Sequence, residues 1–207
     1  MRRIQKGVEP HSLTTFRESG GASYEDYPDK SSLRTALVTE QRGICCYCMS
    51  RISVSRMKIE HCRSQHDRPA EQLDYRNLLG ACFGNEGQPL RDQHCDTRKG
   101  SRSLSFNPAN PAHPFDQLVA FEVDGRIVSK NLIFDAELNQ VLNLNVAFLK
   151  NRRKAILDAF KSAITRRGEL RRHTLEKWLW EWDGESGSGE LREFCQVVVY
   201  WLRKKLR

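Results

Sequence analysis

The stretch Gly43–Asp67, "GICCYCMSRISVSRMKIEHCRSQHD", holds four of the chain's seven cysteines and two of its six histidines. Cys45-x-x-Cys48 is half of a zinc site, because two thiolates at this spacing can fold back on one ion while backbone amides bond the sulfurs. A second pair must complete the tetrahedron, and the residues leave two open. Cys62-x-x-x-His66 follows with 13 residues between Cys48 and Cys62, close to compact zinc-finger spacing. Cys82 and Cys95 lie further on, separated by the loop "FGNEGQPLRDQH". Between the cysteines, Met57-Lys58-Ile59 alternates and reads as a strand running into Glu60-His61. Asn77-Leu78-Leu79-Gly80 is the expected partner strand, and a helix is expected from Asp96 to Ser101.

Outward from this stretch, residues 1–30 read as an irregular arm, broken at Gly20-Gly21 and Pro28. Leu33, Ala36, Leu37 and Gln41 share a helical face, with Ser31 or Ser32 as cap and Gly43 as stop. "FNPANPAHPF" from Phe106 to Phe115 has three prolines in ten residues and reads as an extended connection. Asp124-Gly125 between alternating apolar residues signals a hairpin. The remainder keeps helical periods: Val146 to Ile164, Leu175 to Trp182, and Leu191 to Leu202. "GESGSG" separates the last two. The expected fold class is α+β. Its parts are an arm over 1–30, a zinc-stapled core over 31–105, and a hairpin with a helical region over 106–207.

The 207 residues carry a formal net charge of +8, which favours acidic partners, nucleic acid first. No run of 18 apolar residues occurs, so no membrane span is expected. The start, MRRIQKGVEPHSL, has no apolar segment behind its arginines and does not read as a signal peptide. The expected compartment is the cytoplasm, where reducing conditions turn seven cysteines toward metal rather than disulfides.

Phosphodiester hydrolysis needs a base for water and a cation for phosphate. A neutral imidazole can take the proton, and a hard divalent ion on one or two carboxylates can neutralise charge. The chain offers Glu60-His61, then Asn77 sixteen residues after His61, then Asp96-x-x-Lys99. The run "CCYC … IEHCRSQ … LDYRNLLGAC … HCDTRKG" resembles the HNH, or ββα-metal, endonucleases. The similarity is closest to the HNH subunits of retron and Septu-type anti-phage systems. The stretches "RRIQKGVEPHSL", "LRTALVTEQRGICCYCMSRI" and "LNLNVAFLKNRR" share it, so it covers about two-thirds of the chain. The resemblance implies His61 as general base, Asn77 as brace of the loop carrying His61, and Asp96 and Glu60 as ligands of Mg²⁺ or Mn²⁺. It implies Cys45, Cys48, Cys82 and Cys95 as the structural zinc set, and an ABC/SMC-like ATPase as partner. Asp96 stands where the family has His or Asn, and Glu60 where many members have Asp. Cys82 and Cys95 replace a tight C-x-x-C pair.

Lys99 is a candidate phosphate contact. Lys150 to Arg172 carries nine Lys or Arg against two acids, making Arg152, Arg153 and Lys154 candidate nucleic-acid contacts. Trp178 and Trp182 read as core or interface. The chain is therefore expected to be a metal-dependent endonuclease cutting DNA, or RNA. The alternatives are a silent zinc module that binds nucleic acid through a Cys45, Cys48, Cys62 and His66 frame, and an adaptor docking on a larger partner through its helical half.

Overall fold

The computed structural model describes residues 1–20, 23–166, 171–187 and 189–207. The architecture is mixed α+β. Helix α1 (His11–Glu18) and helix α2 (Lys30–Glu40) precede strands β1 (Lys58–His61) and β2 (Leu78–Ala81), and the short helix α3 (Cys95–Lys99) follows. After α4 (Phe115–Leu118) comes a small hairpin of β3 (Ala120–Phe121) and β4 (Ile127–Val128). Helix α5 (Leu132–Ala136) runs into a π-turn at Glu137–Val141, and α6 (Ala147–Thr165), α7 (Arg172–Trp182) and α8 (Cys195–Leu206) complete the chain. Among the described residues, no helix is long and apolar enough to cross a membrane.

The β1–β2 hairpin is antiparallel, with Glu60 opposite Leu79 and His61 opposite Leu78. Gln41, buried just after α2, grips the free edge of β2. Its Oε1 accepts from Gly80 N at 2.6 Å, and its Nε2 donates to Gly80 O at 2.8 Å and Ile44 O at 2.9 Å. This satisfies edge groups that a two-stranded sheet otherwise leaves bare. Helix α2 starts at Asp29, whose carboxylate accepts from Ser32 N at 3.0 Å, so the cap lies just before the two serines expected to provide it.

Residues 1–20 and 23–30 hold more regular structure than the expected breakers suggest, Gly21 lying outside the described residues. Helix α1 forms there and buries Leu13, while Met1, Ile4 and Tyr27 enter the same apolar cluster as Leu33, Leu78 and Leu149. A second cluster joins α6, α7 and α8 through Leu157, Phe160, Trp178 and Val198. Trp178 and Trp182 meet the Phe160 ring edge-on at 5.8 and 5.3 Å, pairs worth about 0.5–1.5 kcal/mol beyond their buried area. Cys195 is buried with Ile44, Met49 and Leu191.

Candidate functional site

The C-x-x-C turn follows α2. Cys45 N donates to Ser50 O at 2.8 Å, Met49 takes a left-handed φ of 68°, and the two thiols face inward. Cys82 lies one residue past β2, and Cys95 opens α3. The loop between them closes because Gly84 sits against the backbone of His94. A Cβ at Gly84 would lie 2.0 Å from His94 O, and its φ of +55° suits glycine. His94 N donates to Gly84 O at 3.0 Å, which pins the closure.

The result is a convergence of Cys45, Cys48, Cys82 and Cys95, whose sulfurs all lie within 4.8 Å of one another. The Cys48–Cys82 and Cys45–Cys95 separations are 3.6 and 3.9 Å. Metal–sulfur bonds of about 2.3 Å in a tetrahedron place sulfurs about 3.8 Å apart, so the set fits a four-thiolate ion. Backbone amides support the sulfurs: Cys82 N donates to Cys45 Sγ at 3.3 Å, and Ser50 N to Cys48 Sγ at 3.4 Å. Burial opposes ionisation here, yet hydrogen bonds from neighbouring cysteines hold Cys45 well below the ordinary thiol range and bring Cys48 to about 6. A divalent cation is what lets all four carry negative charge together. Cys62 and His66 lie outside this cluster. Cys62 is buried, its thiol pushed up to about 12 by that burial, and His66 is exposed beside Asp67. Cys46 is buried beside the set.

Glu60 lies on the same hairpin, 2% exposed. Its Oε1 accepts from Tyr47 Oη at 2.7 Å and from Lys99 Nζ at 2.9 Å. Burial, then a hydrogen bond with the Asp96 carboxyl, raises the Glu60 pKa well above the usual range, and Lys99 opposes both. Asp96, on α3, also approaches Lys58 Nζ at 3.8 Å. Two facing carboxyls of this kind can share a hard cation through oxygen.

His61 leaves β1 on the opposite side, as strand alternation requires. Its Nε2 lies 3.0 Å from Gln72 O, Gln65 Nε2 lies 3.1 Å from its Nδ1, and the Tyr24 ring meets it edge-on at 4.7 Å. Gln72 O can only accept, so the proton sits on Nε2, while Gln65 Nε2, 3.1 Å from Nδ1 and 3.3 Å from Nε2, lies over the ring. Burial lowers the His61 pKa, with the Gln72 bond opposing, so the imidazole is neutral at pH 7. Asn77 holds the turn after His61. Its Oδ1 accepts from Arg63 N at 2.8 Å, and its Nδ2 donates to Arg63 O at 2.9 Å and Glu71 O at 3.2 Å.

Two expected contacts require correction. Lys99 is not on the surface to meet phosphate: it is 2% exposed, spending its ammonium on Glu60 and on His61 O at 2.9 Å. Arg153 is 1% exposed, and donates to Gly125 O and Leu144 O, each at 2.6 Å. Gly125, whose Cβ would lie 2.2 Å from Lys150 O, lets the β3–β4 turn descend onto α6 and cover that guanidinium. Lys154 is exposed but paired with Asp158, while Arg152 is exposed with its guanidinium 5.3 Å from the Phe148 ring centroid.

Tyr47, Gln65 and Gln72 were not singled out from sequence. Tyr47 sits inside the C-x-x-C motif, where an aromatic residue reads as filler. Gln72 contributes a main-chain carbonyl, which no side-chain pattern reveals. No protein-family model matches the chain, and no curated protein matches it in sequence.

Proposed function

We propose that the chain is a metal-dependent HNH-type endonuclease that hydrolyses phosphodiester bonds of DNA, or RNA. The observation that carries this reading is the buried Lys99 of α3, which bonds Glu60 at 2.9 Å and His61 O at 2.9 Å and so ties the helix that carries Asp96 to the Glu60-His61 end of β1, where His61 is anchored on a carbonyl. Mg²⁺ or Mn²⁺ would neutralise phosphate charge there and stabilise the leaving oxygen. Glu60 and Asp96 supply the oxygen ligands. Gln72 fixes the proton on Nε2 and leaves Nδ1 as the basic nitrogen, with the Gln65 amide over it. Asn77 holds the loop that carries both. Zn²⁺ on the four cysteines would staple this hairpin to α3. The resemblance adds an ABC/SMC-like ATPase partner and an anti-phage role, which copurification with the genomic neighbour's product would test.

The nuclease assay uses plasmid DNA and total RNA with Mg²⁺, Mn²⁺ or EDTA. His61→Ala should lower cleavage about 10²–10⁴-fold while fold and zinc content survive. Asp96→Ala should also be inactive, with partial recovery in excess Mn²⁺. A clean His61→Ala preparation cutting at the parent rate would sink the assignment. It would favour the non-catalytic nucleic-acid-binding module, a reading supported by the engagement of both His61 ring nitrogens within the protein.

A further inference from the structure

Residues 3–6 run extended along the back of the β1–β2 hairpin. Ile4 and Lys6 turn inward: Ile4 N donates to Pro108 O at 2.9 Å, and Lys6 Nζ donates to Leu78 O at 2.9 Å while paired with Glu40 at 2.5 Å. Arg3 and Gln5 turn outward. Leu78 O is two residues from Gly80, on the outer edge of β2 that Gln41 also grips, so this strap borders the hairpin on the side away from β1. A cleft opens on each side of it. One, of about 860 Å³, is lined by Arg2, Arg42 and Arg203. The other, of about 550 Å³, is lined by Arg63, Arg76 and Asn77, and reaches the turn that follows His61. Arg3 and Lys6 line both.

The charges of the two clefts do not cancel. Arg2 and Arg203 both reach the carboxylate of Asp183, at 3.6 and 2.7 Å. Arg42 is held by two neutral carbonyls, Gly184 O and Gly189 O, each at 2.6 Å. Arg3 and Arg76 pair with no carboxylate among the described residues, whereas Arg63 pairs with Glu71 at 3.0 Å. Apart from Arg203, the six cations Arg2, Arg3, Lys6, Arg42, Arg63 and Arg76 face the four acids Glu40, Glu71, Asp74 and Asp183, leaving two positive charges over. A concave surface with uncompensated guanidiniums is suited to phosphodiester oxygens, because guanidinium binds them with two parallel donors. Helix α6, the surface favoured by charge count alone, has lost Arg153 to the core and Lys154 to Asp158.

We infer that the sugar–phosphate backbone of the nucleic acid runs in the paired clefts flanking residues 3–6, passing Arg3 and Arg76 toward the Arg63 turn. The inference shares with the nuclease reading only its ligand class. Binding is therefore measured in EDTA, where cleavage plays no part, by fluorescence anisotropy of labelled single-stranded and duplex DNA and of RNA across a salt series. Arg3→Gln/Arg76→Gln removes two exposed, unpaired cations and should leave the melting temperature unchanged. It should weaken binding by roughly tenfold or more and lower the log–log salt slope by about 2 on duplex. Arg152→Gln/Lys161→Gln on α6 should behave as the parent. The relative loss on single strand and duplex then shows which form the clefts hold. Parent-like affinity and slope in the Arg3/Arg76 protein would overturn the inference. So would a loss confined to the α6 pair, or no binding by the parent chain. Equal displacement of the oligonucleotide by polyglutamate would reassign the clefts to an acidic polypeptide. None of these results bears on whether the metal-loaded chain cleaves, which the His61→Ala assay decides separately.

Discussion

The four sulfurs near the Lys58–Ala81 end of the hairpin and the carboxyl of Glu60 two residues along it are both buried, yet their countercharges differ. Glu60 has a cation inside the fold, Lys99, which bonds it directly and ties it to the strand's own backbone at His61 O. The sulfurs accept from the amides of Cys82 and Ser50, Cys48 donates to Ser50 Oγ, and His94 Nδ1 lies 3.1 Å from Cys95 Sγ, but no described lysine or arginine donates to them. Arg153 acts on Cys48 and Cys95 only through space, its donors being used by neutral oxygens. Paired buried charges can persist without a ligand, whereas a cluster of like ionisable groups requires one. One hairpin thus carries a four-sulfur cluster that fits a metal ion and, two residues along, a buried carboxyl that already has its cation in Lys99.

The largest consequence concerns metal removal. Cys82→Ser, or prolonged chelation of the parent, should abolish one zinc per chain and leave an unfolded or insoluble protein, since a structural zinc site contributes about 10–16 kcal/mol in small domains. Metal analysis with circular dichroism checks it. His66→Ala should keep its zinc, because His66 stands apart from the four sulfurs. Full zinc and a parent-like melt in Cys82→Ser would erase the distinction between the two centres.

A smaller loss is expected at the internally compensated site. Lys99→Met removes the ammonium from Glu60 and His61 O together, and breaking a buried pair costs about 3–5 kcal/mol. Because Glu60 takes up a proton readily, its pKa being raised by burial and by Asp96, the lower end is expected. Urea unfolding at neutral pH measures this loss. The variant should retain its zinc, and added Mn²⁺ should recover part of the lost stability by replacing one cation with another. A loss below about 1 kcal/mol, within the range of exposed pairs, would show that Lys99 does not compensate Glu60.

Much of this contrast was legible in the sequence, but unevenly. The hairpin could be read because alternation in Met57–His61 and the apolar run after Asn77 are local signals. The convergence of Cys82 with the C-x-x-C turn is less local. It depends on Gly84 approaching His94, so spacing alone left Cys62 and His66 as rivals. The charged residues were hardest to place. Lys99 and Arg153 resemble any solvated base in a basic chain, and their burial is decided by distant partners, Glu60 on β1 and the Gly125 turn. Helix α1 leaves little periodic signal in the sequence because Leu13 is its one fully buried anchor.

The finest expected effect separates His61 from the carboxyl site through pH. Burial lowers the His61 pKa from 6.5, and its bond to Gln72 only partly offsets this. In the unfolded chain His61 titrates near its ordinary value, so between the lowered folded value and 6.5 the unfolded state binds more protons. Stability must therefore rise with pH through that window. The contribution is complete above 6.5 and is lost as pH falls toward the folded value. Urea midpoints at about pH 7.5 and about pH 5.5 should differ more in the parent than in His61→Gln, which cannot titrate. The same lowered value keeps imidazole in its basic form under mildly acidic conditions, so the acid limb of the cleavage profile should lie below 6.5. Identical pH slopes in parent and His61→Gln would mean that His61 is as hydrated in the folded chain as in the unfolded one. The Tyr24, Gln65 and Gln72 enclosure would then not exclude water from it.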